Sequence, residues 1–131
     1  MIAMVSGGFD PLTIGHLDLI EAAAEYGSVI VVVNSDEFLI EKKGFVFQPL
    51  KHRMRIMKSL ALVIAVHAVN DWDGTVVSAL ARLEPDYFIN GGDRVTGNPK
   101  EDAICHDLGI TQIFTGQPKV SSSSQLVRNV Q

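Results

Sequence analysis

The run Ser28-Val29-Ile30-Val31-Val32-Val33 narrows the fold more than any other part of this chain. Five consecutive β-branched residues suit a pleated backbone and disfavour a helix. No polar residue alternates with them, so both faces of such a strand must be covered. A strand of that kind belongs inside a mostly parallel sheet with helices packed on each side. The rest of the chain alternates strand and helix as this requires.

Further strands are expected at residues 2–6, 63–66, 86–90 and 110–114. Helices are expected at 14–26, 49–60, 74–83 and 100–108. In the first of these Leu17, Ile20 and Ala24 recur at helical spacing, and Gly27 supplies a stop. Pro49 opens the second, and Gly109 ends the last. The apolar stretch 60–69, interrupted by His67, reads as a buried strand and is too short to cross a membrane. Residues 36–48 read as a mobile loop with a short helical start. The tail, residues 121–131, begins with four serines and turns helical at Gln125. Together these give an α/β chain with a three-layer Rossmann-like fold, a parallel sheet of about five strands, and one domain over residues 1–131.

Composition excludes some functions. The net charge of −4 over 131 residues argues against a general nucleic-acid binder. Cys105 is the one cysteine, so no intrachain disulfide forms, as suits a reducing cytosol; it reads as an inert thiol. The N-terminus lacks a basic region before its apolar run and reads as a strand rather than a signal peptide. A cytoplasmic protein with neither nucleic acid nor membrane as partner is expected.

The chemistry concentrates between Ser6 and His16. This segment joins a strand to a helix start, where open α/β sheets bind ligands. Free N–H groups and the helix dipole there attract phosphate. Gly7 and Gly8 let a triphosphate approach the backbone. His16 can donate to a phosphate or to the oxygen of a leaving pyrophosphate, and Thr13 offers a hydroxyl one turn earlier. Asp10, before Pro11, either orients the turn or helps to hold Mg²⁺. His52, His67 and His106 have no metal-ligand spacing.

The run Gly8-Phe9-Asp10-Pro11-Leu12-Thr13-Ile14-Gly15-His16-Leu17 resembles the N-terminal signature of the cytidylyltransferase-like nucleotidyltransferases. That superfamily includes glycerol-3-phosphate cytidylyltransferases, heptose-phosphate adenylyltransferases and phosphopantetheine adenylyltransferases. The resemblance implies that Gly7, Gly8, Phe9, Asp10, Thr13 and His16 meet the nucleotide, with His16 stabilising the transition state. Lys42 or Lys43 is similar to the family's mobile lysine; Lys43 is preferred because it directly precedes Gly44. Arg53 matches the arginine that opens the next helix. Asn90-Gly91-Gly92-Asp93 resembles a turn near the nucleotide, which brings in Gly91 and Asp93. Ser122-Ser123-Ser124-Gln125-Leu126-Val127-Arg128 resembles the C-terminal signature, where serine hydroxyls cap a helix and grip a phosphate. Trp72, Arg94 and Lys119 are candidates for the substrate; Trp72 reads equally well as a core anchor and Arg94 as a solvent-exposed side chain. One departure is Ala61-Leu62-Val63-Ile64-Ala65, where the glycerol-3-phosphate enzymes carry an arginine and two acids.

The expected reaction is attack of a substrate phosphate on the α-phosphorus of an NTP, with His16, Thr13, Lys43, Arg53 and Ser123 stabilising charge and Mg²⁺ carried by the nucleotide. CTP with a small phosphorylated alcohol or sugar is the first expectation, from Trp72 and the short form. ATP with a sugar phosphate or a phosphopantetheine-like acceptor is the alternative, supported by Thr13. A non-catalytic nucleotide-binding module is the rival of another class. A homodimer is what the resemblance implies.

Overall fold

The computed structural model describes residues 1–91 and 97–115. In chain order the elements are β1 (Ile2–Gly7), α1 (Ile14–Ala24), β2 (Ser28–Val33), α2 (Asp36–Lys43) and α3 (Leu50–Lys58). They continue with β3 (Val63–Ala68), α4 (Val77–Leu83), β4 (Tyr87–Asn90), α5 (Pro99–Leu108) and β5 (Thr111–Phe114). The five strands form one parallel sheet in the order β3-β2-β1-β4-β5. β1 pairs with β2 from Ile2 opposite Ser28 to Gly7 opposite Val33, and with β4 at Ala3 opposite Tyr87.

Strand alternation sorts the core into two layers. Ala3, Val5, Val29, Val31 and Val33 meet Ile20 and Ala23 of α1 and Met57 of α3 on one face. Met4, Ile30, Val32 and Phe88 meet Ala79 and Leu80 of α4 and Cys105 of α5 on the other. The valine run is therefore covered on both faces, and the fold is a three-layer Rossmann-like α/β sandwich. The chain winds from β1 outward to β3, then crosses back to β4. That reversal opens a crevice between the C-terminal ends of β1 and β4.

Three expectations need correction. Residues 36–48 are not a loop with a helical start: Asp36–Lys43 form a two-turn helix. Ser35 caps it by accepting from the Phe38 N–H, Asp36 and Glu37 begin it, and Lys42 and Lys43 complement its end. Gly44 closes it at φ 85°, a left-handed conformation that suits glycine. The strand at 63–66 extends to Ala68 and is only partly buried, because it is the sheet edge: Val66 joins the core, while Ile64 is 61% exposed. Helix α4 starts at Val77 rather than 74, because Asp73 accepts from the N–H and hydroxyl of Thr75 and holds a turn there.

Candidate functional site

The β1–α1 junction is built by an unusual backbone. Phe9 takes a left-handed φ of 52° and the Asp10–Pro11 peptide is cis. The Phe9 ring is only 3% exposed and meets the His16 ring edge-on, with centroids 5.0 Å apart. Leu39 of α2 fills the space over Gly8, where a Cβ would lie 2.6 Å from Leu39 Cδ2. The loop is thus clamped between two helices, with glycine where α2 approaches most closely.

Thr13 and His16 form a reciprocal cap on α1. The Thr13 N–H donates to His16 Nδ1 at 3.0 Å, while the His16 N–H donates to Thr13 Oγ1 at 3.4 Å. An Nδ1 that accepts carries no proton, so the neutral ring holds its hydrogen on Nε2. Burial, reinforced by the Lys43 charge, pushes the His16 pKa down to about 4. Near neutral pH the ring is an uncharged donor of fixed tautomer. No acidic residue lies in the first turn of α1, so its N-terminal partial positive charge is uncompensated within the helix.

Buried charges tie the neighbouring loops to this junction. Asp10 is 1% exposed and accepts from the Phe47 and Gln48 N–H groups at 2.8 and 2.7 Å. Lys43 Nζ donates to the Asp10 carbonyl at 2.7 Å and lies 3.2 Å from its carboxylate. The same ammonium sits 5.0 Å and 5.4 Å from the ring centroids of Phe45 and Phe47. Lys43, rather than Lys42, therefore faces the junction; Lys42 lies over Phe38 instead.

Arg53 is wholly buried. Its Nε donates to the Gln48 carbonyl at 2.8 Å, and its Nη1 to the carbonyls of Gly8 and Asn34 at 3.0 and 2.7 Å. Its Nη2 meets Asp36 Oδ1 at 2.6 Å. These contacts direct the guanidinium toward the chain itself. Asp36 also accepts from the Leu50 N–H at the start of α3. Beside it, Asp71 accepts from Asn34 Nδ2 and from the N–H and hydroxyl of Ser35. Asn34 and Asp36 are supports that sequence reasoning did not place. Asp36 is separated from Arg53 by 17 positions, so no local spacing announced the pair.

Trp72 is 85% exposed, which removes the core-anchor alternative. It lines a cleft of about 330 Å³ with Phe38, Glu41, Lys42, Asp71 and Asp73. A larger open groove, about 570 Å³, lies at the opposite end of the strands, lined by Met1, Tyr26, Leu62 and Ile64, away from His16. Gly91 follows β4 across the crevice, where a Cβ would lie 2.7 Å from Leu19 Cδ1. Asp93, Arg94, Lys119, Ser122, Ser123 and Ser124 lie outside the described residues. Cys105 is buried beside Glu101 and Asp102, and burial first, then those carboxylates, push its thiol up to about 11. It is an inert thiol at neutral pH. Among the described residues no helix is long and apolar enough to cross a membrane.

Known proteins resemble this chain in sequence and fold. The chain is 37% identical over 111 residues to the bifunctional protein HldE of Streptomyces coelicolor, which covers 82% of this chain but 24% of that protein. It is 32% identical over 92 residues to a FAD synthase of Methanohalophilus mahii, covering 70% of this chain and 63% of the relative. It is 35% identical over 91 residues to a phosphopantetheine adenylyltransferase of Streptococcus pneumoniae, covering 69% and 54%. The chain thus spans from a quarter to under two thirds of these relatives. A lipopolysaccharide core biosynthesis protein from Thermoplasma volcanium shares the fold at TM-score 0.74 and 21% identity, over 87% of this chain and 93% of that one. The model of the cytidylyltransferase-like family matches residues 4–129, nearly the whole length. With that match over nearly the whole length, the chain belongs to the cytidylyltransferase-like nucleotidyltransferases.

Proposed function

We propose that the chain transfers AMP from ATP to a small phosphorylated acceptor and releases pyrophosphate. One observation carries the reading: His16 is held as a neutral Nε2–H donor at a helix start free of acidic side chains. Such a site favours incoming phosphate before reaction and donates to oxygens that gain charge during it.

The acceptor phosphate attacks the α-phosphorus in line, and the bond from that phosphorus to the bridging oxygen breaks. The electron pair leaves with pyrophosphate, and His16 donates to its growing charge. Thr13 keeps the imidazole oriented. Lys43 exchanges the Asp10 carbonyl for a phosphate oxygen, a move its unbranched stem allows. The nucleotide lies in the crevice between Gly8 and Gly91, and the cleft at Trp72 and Lys42 takes the acceptor. Ser122, Ser123, Ser124, Lys119 and Arg94 supply the remaining donors, and the Asp93 carboxylate accepts from the nucleotide. Mg²⁺ neutralises part of the triphosphate charge. It fits as an ion carried by the nucleotide, because both oxygens of Asp10 already accept from the chain.

ATP is preferred to CTP for two reasons. The names of two relatives, a phosphopantetheine adenylyltransferase and a FAD synthase, point to adenine nucleotides. Thr13 stands where the phosphopantetheine enzymes carry threonine. Trp72, which favoured CTP, lines a cleft with Phe38 and Lys42. Pyrophosphate release from ATP and CTP is to be measured against phosphorylated alcohols, sugar phosphates, phosphopantetheine and flavin mononucleotide. ATP-dependent release with one acceptor class is expected. Release from CTP alone overturns the choice of nucleotide. Nucleotide binding with no release against any acceptor favours the non-catalytic module.

A further inference from the structure

We propose that Arg53 is a positioning residue that aims the Phe9 N–H at the phosphates of the nucleotide. The inference rests on the transfer reading above and assigns Arg53 a part other than direct contact with phosphate. Arg53 Nη1 pins the Gly8 carbonyl at 3.0 Å from inside the protein. The Gly8–Phe9 peptide is trans, since the cis bond lies at Asp10–Pro11. In a planar trans peptide the N–H points opposite to the C=O. Holding the Gly8 oxygen inward therefore turns the Phe9 N–H away from the guanidinium. That N–H has no hydrogen-bond partner among the described residues. That backbone donor is therefore left to an acceptor from outside these residues.

The same nitrogen of Arg53 holds the Asn34 carbonyl at 2.7 Å. One planar group thus fixes the ends of β1 and β2 relative to each other. Asp36 anchors the group from the other side at 2.6 Å. Phe9 sits at φ 52°, a conformation a bulky residue adopts only when its surroundings impose it. The guanidinium and the Phe9–His16 ring contact supply that imposition. Lysine cannot reproduce it, because a single ammonium lacks the planar fork that reaches these carbonyls and Asp36 together.

The test is a pyrophosphate titration followed by calorimetry and by amide proton–nitrogen spectra, in the wild-type chain and in Arg53→Lys. In the wild type the Phe9 amide peak moves downfield as pyrophosphate binds. In folded Arg53→Lys that movement is lost and affinity falls about tenfold, the size expected for a misdirected charge-assisted donor. A folded variant that keeps both wild-type affinity and the Phe9 shift overturns the positioning role and leaves the transfer reading intact. If the variant does not fold, the wild-type spectra decide. A Phe9 peak that stays still while the His16 amide moves overturns the proposal alone. A wild-type chain that binds no pyrophosphate overturns the transfer reading and this inference with it.

Discussion

Two helix starts in this chain handle their exposed N–H groups in opposite ways. α5 begins with Asn98, whose side chain accepts from the Lys100 and Glu101 N–H groups, and its first turn carries Glu101 and Asp102. Those acids complement the helix dipole from within, and Glu101 also accepts from the Val76 N–H. α1 begins with Thr13 and His16, both uncharged near neutral pH, and its first turn has no acid. The first arrangement maximises local stability. The second leaves positive potential unanswered, as a site for an anion requires. α3 and α4 also lack a first-turn acid, but Asp36 and Glu101 accept from the Leu50 and Val76 N–H groups at their starts; the α1 start, with no acid of either kind on its first turn, is the one that suits an anion.

The largest expected effect comes from removing the donor. His16→Ala should lower the turnover of nucleotidyl transfer by about 10²–10³-fold, as for other oxyanion donors. ATP affinity, read by calorimetry, should change only a few-fold. Equal losses in both would mean that the imidazole binds ground state and transition state alike.

The second effect is on pH dependence. The His16 pKa is about 4 in the folded chain, below its ordinary 6.5. The unfolded chain therefore takes up a proton first as pH falls. The resulting stability is complete above pH 6.5 and is lost as pH drops toward 4, amounting to about 3 kcal/mol at most. Urea unfolding between pH 4 and 7 should show a steeper fall for the wild type than for His16→Gln. Parallel curves would show that the ring titrates normally.

The third effect makes α1 resemble α5. Ile14 is 55% exposed in the first turn of α1. Ile14→Glu should raise folding stability by about 0.3–1 kcal/mol through the helix dipole. The same charge should weaken pyrophosphate binding several-fold. Opposite signs for stability and binding, measured by thermal unfolding and calorimetry, would sharpen the distinction. A variant that gains stability with no loss of binding would break it.

The residues proposed to face phosphate were legible because they are local. Thr13 and His16 are three positions apart on one helical turn, and glycines precede them. The interior strand was legible from its uninterrupted β-branched run. The supports were not, because each joins distant segments: Arg53 to Gly8, Asp36 to Arg53, Asp10 to the N–H groups of Phe47 and Gln48. α2 was read as a loop because its eight residues carry two lysines and little apolar periodicity. Its caps and the seating of Leu39 over Gly8 stabilise it instead.

By itself, then, the order of residues determined the parallel α/β architecture, the switch from strand to helix at Gly7, and a histidine donor on the first turn of α1, whereas its uncharged state came from burial and from Lys43. The first three follow from short-range periodicity and capping, which a few neighbouring positions suffice to specify. Only the tertiary structure decided that β3 lies at the sheet edge, that Trp72 stands in solvent, and that Lys43 faces Asp10. It alone turned Arg53 inward. Strand order and the pairing of buried charges depend on which remote segments meet, and a hydrogen bond across 45 positions leaves no periodic trace in the chain that makes it.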